Sequence, residues 1–330
     1  MRSETYLITG ITGYIGSLIT KTLMEQDAYK VGSVRIVGLV RNLKKATEVF
    51  KEYDCSNLTF VEMDIVDVQK NIEQLQMPID YVIHCAASTT STYMISNPVE
   101  VADGIILGTK NLLEVARDKH VKSFVYISSM EVYGNVRELG RTRKEDEFGE
   151  VLLNVARSCY PLAKRMAEHY CYSYYKEYGV PVKVARLAQT FGVGVRPDDN
   201  RVYMQFAKAV YEKKDIVLKT RGLSVGNYCA ADDAVNAILK IMVDGKDGET
   251  YNVVNEENTM SVHQMAEMVA KEIASGEITV KFELEDNSKT GYAPDTALRM
   301  SGDKLRELGW SPTKDLEQMY RDVLKDLTSE

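Results

Sequence analysis

Cysteine and histidine are scarce in this chain. Its 330 residues include five cysteines and four histidines. Cys55, Cys85, Cys159, Cys171 and Cys229 are scattered, odd in number and without C-x-x-C spacing. That excludes a disulfide framework and reads as reduced thiols. No H-E-x-x-H stretch or Cys/His cluster occurs, so no metal site is expected. No apolar run approaches membrane-spanning length, and the N-terminus lacks the pattern of a secretory leader. Positive charge is not in excess: 41 Lys and Arg face 48 Asp and Glu, a net charge of -7. The electrostatic footprint of a nucleic-acid binder is therefore missing. No repeat or charge block supports a scaffold role. These absences lead us to expect a cytoplasmic protein with a small-molecule partner, and neither nucleic acid nor membrane.

What is present suits a large buried core: 45% of residues are hydrophobic and 27% charged, in a chain long enough to bury most of its apolar surface. Strands are expected at Thr5-Thr9, Val34-Val40, Leu58-Val61, Tyr81-His84, Ser123-Ser128 and Val182-Arg186. Amphipathic helices are expected at Ile15-Gln26, Val99-Lys119 and Tyr160-Tyr178. Apolar strands separated by helix-length segments predict right-handed βαβ units, hence an α/β protein with a doubly wound parallel sheet. Ligands of such sheets gather at the carboxyl ends of the strands, so the residues just after each strand matter most.

The first strand runs into Thr9-Gly10-Ile11-Thr12-Gly13-Tyr14-Ile15-Gly16 and then a helix. Glycines allow close backbone approach, while unpaired N–H groups and the positive dipole end favour an anion, as in a dinucleotide pyrophosphate site. After the second strand stand Arg41, Lys44 and Lys45, with no acid at the strand end. A carboxylate there would bind ribose hydroxyls of NAD, whereas arginine can clamp a 2′-phosphate. The expected cofactor is therefore NADP rather than NAD. Asp64 follows the third strand and could cap the next helix. The fourth strand ends in His84-Cys85-Ala86-Ala87-Ser88, where His84 reads as a satisfied buried histidine.

The fifth strand leads into Ser128-Ser129-Met130-Glu131-Val132-Tyr133-Gly134. Tyr160 and Lys164, four apart, share a helix face. The ammonium favours the phenolate for proton transfer, and a strand-end serine can hold the same substrate oxygen. A second such pair, Tyr172 and Lys176, lies about 120° round the helix, so only one pair can face the strand ends. Tyr160, which opens its helix, is the preferred choice.

These motifs together resemble the extended short-chain dehydrogenase/reductases, the nucleotide-sugar epimerases, dehydratases, decarboxylases and reductases. The likeness rests on Gly10, Gly13 and Gly16, on S-S-x-x-V-Y-G, and on Tyr160-Pro161-x-x-Lys164. It continues through Gly248-Glu249-Thr250-Tyr251-Asn252-Val253 and Leu308-Gly309-Trp310-Ser311-Pro312, and so covers essentially the whole chain. The resemblance implies a Rossmann-type domain over 1–186 with a returning segment about 227–252. A smaller α/β substrate lobe then takes 187–226 and 253–330. It implies Ser129, Tyr160 and Lys164 as catalytic, with Glu131 either a base or a structural carboxylate. The cofactor would lie on Gly10, Thr12, Gly13, Tyr14, Ile15 and Gly16, with Asp64 and Ile65 at the adenine. Ala86, Ala87 and Ser88 would lie under the nicotinamide ribose, and Tyr160 and Lys164 would touch it. Ser88, Met130 and Gln189 would contact the substrate.

Three departures stand out. Gly226-Asn227-Tyr228 replaces the family's usual Arg-Asp-Phe, leaving Arg201, Lys219 and Arg221 as substitutes for the diphosphate contact or as plain surface cations. Gln189 stands where asparagine is usual. Ile105 stands where many relatives have asparagine. The resemblance also implies a homodimer through the helices at Val99-Lys119 and Tyr160-Tyr178, with Ile106, Leu113, Tyr170 and Tyr174 supplying the face. The preference for a 2′-phosphate, with Met130 in place of an acid, points to an NADPH-dependent reductase of a nucleotide-linked keto sugar. The alternatives are an epimerase, 4,6-dehydratase or decarboxylase with a resident cofactor and, from another class, a non-catalytic NADP(H)-binding regulator.

Overall fold

The computed structural model describes residues 2–136, 140–284 and 296–329. In chain order they form β1 (Glu4–Thr9), α1 (Tyr14–Glu25), α2 (Asp27–Lys30), β2 (Val34–Val40), α3 (Leu43–Val49), β3 (Leu58–Glu62), β4 (Tyr81–His84), α4 (Ser91–Ser96), α5 (Pro98–Lys119), β5 (Ser123–Ser129), β6 (Thr142–Arg143), α6 (Cys159–Tyr178), β7 (Val182–Leu187) and β8 (Gln189–Phe191). They continue with α7 (Val202–Tyr211), β9 (Ile216–Leu218), β10 (Val225–Ala230), α8 (Ala231–Asp244), β11 (Thr250–Val253), β12 (Asn255–Ser261), α9 (Val262–Met268), β13 (Val280–Phe282), β14 (Arg299–Met300), α10 (Asp303–Arg306) and α11 (Leu316–Ser329). No helix among the described residues is long and apolar enough to cross a membrane.

Seven parallel strands form the main sheet in the order β11-β7-β5-β4-β1-β2-β3. The order reverses at β1, which pairs with β2 on one side and β4 on the other, so that Thr9 lies level with Leu39 and His84. A crevice at the carboxyl ends of strands follows from such a reversal. Strands buried on both faces read as apolar runs, which is why six of the seven were legible in the sequence. The seventh, β11, was missed because Thr250-Tyr251-Asn252-Val253 is short and interrupted by a polar residue. Leu7, Val37, Val82, Phe124 and Tyr126 of the sheet pack with Leu112 and Leu113 of α5 and Ala163, Ala167 and Cys171 of α6 in one continuous core. Each large side chain so buried contributes about 1.5–3 kcal/mol.

The chain divides into two compact units. The first comprises residues up to Gly134, Val151–Arg186 and Val235–Tyr251, and carries most of the main sheet. The second comprises Asn135–Glu150, Leu187–Ala234 and the chain from Asn252 on. Within it, β12, β10 and β8 form a three-stranded sheet, and two short pairs join β13 to β9 and β14 to β6. Asn227 ties this unit together. Its Nδ2 donates to Leu298 O at 2.6 Å, while its Oδ1 accepts from Met300 N at 3.0 Å and Thr259 Oγ1 at 3.2 Å. The Trp310-Ser311-Pro312 turn is fixed through Asp233, whose backbone carbonyl accepts from Trp310 Nε1 at 3.2 Å. The Asp233 carboxylate accepts from Thr313 Oγ1 at 2.7 Å.

Candidate active site

The glycine turn, the strand ends beside it and the tyrosine–lysine helix all belong to the first unit. Gly10 ends β1 with φ at +65°, a conformation that glycine adopts without strain. A Cβ on Gly10 would fall 2.8 Å from Ala86 N, and one on Gly16 only 2.3 Å from Gly10 O. The turn is thus packed too tightly for side chains. Gly13 N donates to Gly10 O at 2.8 Å, and Gly13 then forms the N-cap of α1. No side chain caps that helix and no acid sits in its first turn. Its leading N–H groups, flanked by Thr12, Tyr14 and Ile15, form a glycine cradle and a bare helix start that fit a dinucleotide pyrophosphate.

Next to this turn, Ala86 N donates to Thr9 Oγ1 at 3.2 Å, and Thr9 Oγ1 contacts His84 Nδ1 at 2.7 Å. His84 Nε2 lies 3.1 Å from Thr109 Oγ1, which itself donates to Ile105 O at 2.6 Å. With the Thr109 proton committed to a carbonyl, His84 must donate through Nε2 and accept at Nδ1 from Thr9. Burial, with Lys164 adding to it, pushes the imidazole pKa down to about 3. His84 is therefore a neutral strut that pins Ala86 beneath the glycine turn. Ile105, in place of asparagine, contributes only its carbonyl to this chain. Ala87 and Ser88 continue from Ala86, half-buried.

Lys164 and Tyr160 are both buried on α6. Lys164 Nζ donates to Ile127 O at 2.7 Å, near the carboxyl end of β5, and lies 5.8 Å from the Tyr160 ring centroid. Burial pulls the Lys164 pKa down to about 8, with Cys85 and Glu168 acting against it. The other tyrosine–lysine pair faces outward, with Tyr172 49% exposed. Ser129 Oγ accepts from Glu131 N at 3.2 Å, which opens the tight turn Met130–Tyr133. The Ser129 proton is not used in that bond. Met130 and Glu131 are half-buried beside it.

Sequence reasoning did not reach two further features. Glu131 Oε1 accepts from Arg157 Nη2 at 2.7 Å, so the carboxylate is ion-paired. Behind the site, Glu168, one turn beyond Lys164, accepts from Ser128 Oγ at 2.5 Å and from Arg186 Nε and Nη2 at 2.9 and 2.6 Å. Arg186 Nη1 reaches Tyr133 OH at 3.2 Å, and Arg165 Nε donates to Val132 O at 2.7 Å. Helix α6 thereby grips the turn that carries Ser129. The spacing of Glu168 from Lys164 signalled this, but its partner on β7 lies too far off in sequence to be read.

The cation cluster after β2 is less bare than its sequence. Arg41 is 75% exposed and lies 3.9 Å from Asp64 Oδ2. Lys44 and Lys45 are exposed on α3. Glu62 Oε1 accepts from Leu43 N at 3.1 Å. Two carboxylates from the end of β3 thus stand beside the cations. Asp64 also caps the turn after it by accepting from Val66 N at 3.0 Å, while Ile65 packs on Gly108. The remaining expected contacts lie in the second unit. Gln189 pairs with Tyr228 in the sheet, Arg201 holds Asp199 at 2.5 Å, and Arg221 is exposed. Lys219 holds Glu283 at 2.7 Å. At Gly226 a Cβ would fall 2.8 Å from Tyr228 OH, so the family's arginine there would require the buried Tyr228 side chain to move.

The family model for the NAD dependent epimerase/dehydratase family matches residues 6–254. UDP-glucuronic acid decarboxylase 3 of Arabidopsis thaliana is 27% identical over 317 residues, covering 94% of this chain and 85% of that protein. Human dTDP-D-glucose 4,6-dehydratase is 28% identical over 313 residues, covering 93% and 85%. The fold is similar to that of UDP-glucose 4-epimerase from Thermotoga maritima, solved with UDP-glucose, at a TM-score of 0.81 and 25% identity over 99% of this chain and 100% of that one.

Bound cofactors in similar folds correct one expectation. dTDP-glucose 4,6-dehydratase of Bacillus anthracis holds NAD (TM-score 0.78, 21% identity, 99% and 97% covered). UDP-glucuronic acid 4-epimerase of Bacillus cereus also holds NAD (0.79, 21%, 98% and 99%), whereas RMD of Pseudomonas aeruginosa holds NADPH (0.76, 20%, 99% and 99%). The expectation of NADP is overturned by this balance towards NAD. Its physical weakness is local: Glu62 and Asp64 bring negative charge beside the cations that were read as a 2′-phosphate clamp. The preference for a reductase rested on NADP and on Met130 in place of an acid; its first ground falls, and the relatives favour the resident-cofactor alternatives.

Proposed function

Because this chain belongs to the NAD dependent epimerase/dehydratase family, we propose that it is an NAD-using enzyme that oxidises a nucleotide-linked sugar and reduces it again, with epimerisation the favoured outcome. The observation that carries this is the buried Tyr160 and Lys164 on one face of α6, with Lys164 Nζ on the Ile127 carbonyl at the end of β5. Gly10, Gly13, Gly16 and the start of α1 would hold the pyrophosphate. Asp64 and Ile65 would flank the adenosine, Ala86 and Ala87 the nicotinamide ribose. Bound NAD supplies the reversible acceptance of a hydride from the carbinol carbon. Tyr160 would take the hydroxyl proton as that carbon is oxidised and return it on reduction. Lys164 would favour the phenolate, and Ser129, with its own proton free of the Glu131 bond, would donate to the substrate oxygen.

Dehydration needs an acid and a base beyond the phenol. Met130 offers neither, and one oxygen of Glu131 is engaged by Arg157. Decarboxylation is the second reading, favoured by the likeness to a UDP-glucuronic acid decarboxylase along 94% of the chain, because a 4-keto uronic acid loses carbon dioxide without a protein base. Incubation with UDP-glucose, dTDP-glucose and UDP-glucuronic acid, followed by mass spectrometry and NMR, separates the outcomes. An isomer of unchanged mass is expected, or loss of carbon dioxide for the second reading, abolished by Tyr160→Phe with NAD still bound. Loss of water, or lasting consumption of a nicotinamide cofactor, would refute both. We also propose a homodimer through α5 and α6.

A further inference from the structure

Arg157 belongs to none of the glycine, serine or tyrosine–lysine motifs. It stands three residues before Tyr160, in the turn Ala156–Ser158 that leads into α6. Its Nη2 donates to Glu131 Oε1 at 2.7 Å and its Nε to Ser91 Oγ at 3.1 Å. Its guanidinium carbon lies 5.8 Å from the centroid of the Tyr160 ring. Glu131 in turn bonds Ser129 Oγ through its backbone N–H. One guanidinium therefore bonds the start of α4 and the turn after β5 and lies over the Tyr160 ring. The two side chains are 30% and 34% exposed, so the pair is built into the protein yet open on one side. Among the described residues, neither Arg157 Nη1 nor Glu131 Oε2 has a partner. The pair leaves donors on Arg157 Nη1 and acceptor capacity on Glu131 Oε2 unused near Tyr160. Its charges cancel, so it does not select an anion. A hydroxyl, which donates and accepts at once, satisfies both atoms.

Resting on the proposed function, in which a sugar is oxidised at Tyr160, we infer that Arg157 and Glu131 together bind a sugar hydroxyl flanking the reacting carbon, making Arg157 a specificity-determining residue. A site built to hydrogen-bond a hydroxyl rejects an analogue lacking it, because its own polar groups are left unpaired.

The test is calorimetric titration of the NAD-loaded protein with UDP-glucose, or dTDP-glucose if that binds more tightly, and with its 3-deoxy and 6-deoxy analogues. Turnover is measured in parallel. The unmodified protein should bind one deoxy analogue roughly tenfold to a hundredfold more weakly than the parent sugar. Arg157→Ala should bring that ratio below about threefold, with Arg157→Lys keeping part of it. Should Arg157→Ala fail to bind NAD or melt early, Glu131→Gln carries the same comparison. Equal affinity of the unmodified protein for all three sugars, or a ratio untouched in the variants, overturns the inference. Failure of both parent sugars to bind overturns it together with the epimerase reading. Hydroxyl-dependent binding without turnover leaves this inference standing and removes only the epimerase reading.

Discussion

His84 shows how much a single residue can be read from its place in a strand. Four apolar or aromatic neighbours in sequence implied burial, and a buried histidine must be paired, as it is on Thr9 and Thr109. Arg157 shows the opposite case. Nothing local distinguishes it from a surface cation, because its partner Glu131 lies 26 residues away and meets it only once β5 and α6 are packed. The state of His84 has a measurable consequence. An imidazole in the unfolded chain takes up a proton near pH 6.5, whereas in the fold burial and Lys164 hold that uptake down to about 3. Between those values the unfolded chain binds a proton that the folded chain refuses. Its contribution to stability is therefore full above about pH 6.5 and is lost as the pH falls towards 3. From pH 7 to pH 4.5 the unmodified protein should lose about 2–3 kcal/mol more than His84→Gln. Denaturant melts of both at the two pH values measure this, and equal losses would contradict it.

At the scale of elements, the turn between β1 and α1 was legible almost atom by atom. Three glycines at that spacing, with a strand before them and a helix after, leave the backbone little choice but a tight turn into a helix start. Boundaries elsewhere moved by a residue or two: β5 runs on to Ser129 and α6 begins at Cys159. The tight turn Met130–Tyr133 was not legible, since its stability comes from Ser129 below and from Arg165 and Arg186 behind, rather than from its own propensity. The cofactor preference misled for a related reason: the acids beside Arg41 come from β3, a neighbouring strand, and not from the end of β2. The glycine turn makes its own prediction. A methyl on Gly16 would fall 2.3 Å from the Gly10 carbonyl, a backbone atom with nowhere to go. Gly16→Ala should cost about 1–3 kcal/mol in stability and weaken NAD at least about tenfold by shifting the N–H groups that face the pyrophosphate. Thermal melts with and without NAD report both, and an alanine variant with unchanged NAD stabilisation would show that the turn does not hold the cofactor.

The second unit was the least legible part of the whole molecule, because it is assembled from three separated stretches whose short strands carry polar residues such as Asn227 and Asn255. The proposed self-association has fewer residues to draw on than the sequence offered. Leu113 and Tyr174, read as interface residues, are consumed by the chain's own core, with the Tyr174 hydroxyl on Glu114. That removes them from any face offered to a second copy. Ile106 and Tyr170 pack partly on the same core. What remains uncovered on the two helices includes Leu107, 41% exposed on α5, and Met166, 39% exposed on α6. Apolar side chains left in water on adjacent long helices are what a twofold contact would bury, each copy offering the same patch to the other. A charge placed there would have to be desolvated on pairing, so it should weaken the contact without touching the core. Light scattering at micromolar concentration should give twice the chain mass of 37.2 kDa for the unmodified protein and the single mass for Leu107→Glu combined with Met166→Glu. The double variant should keep NAD binding, because neither residue approaches the glycine turn in the packing described. A monomer before mutation, or a dimer that survives it, would place the contact elsewhere or nowhere.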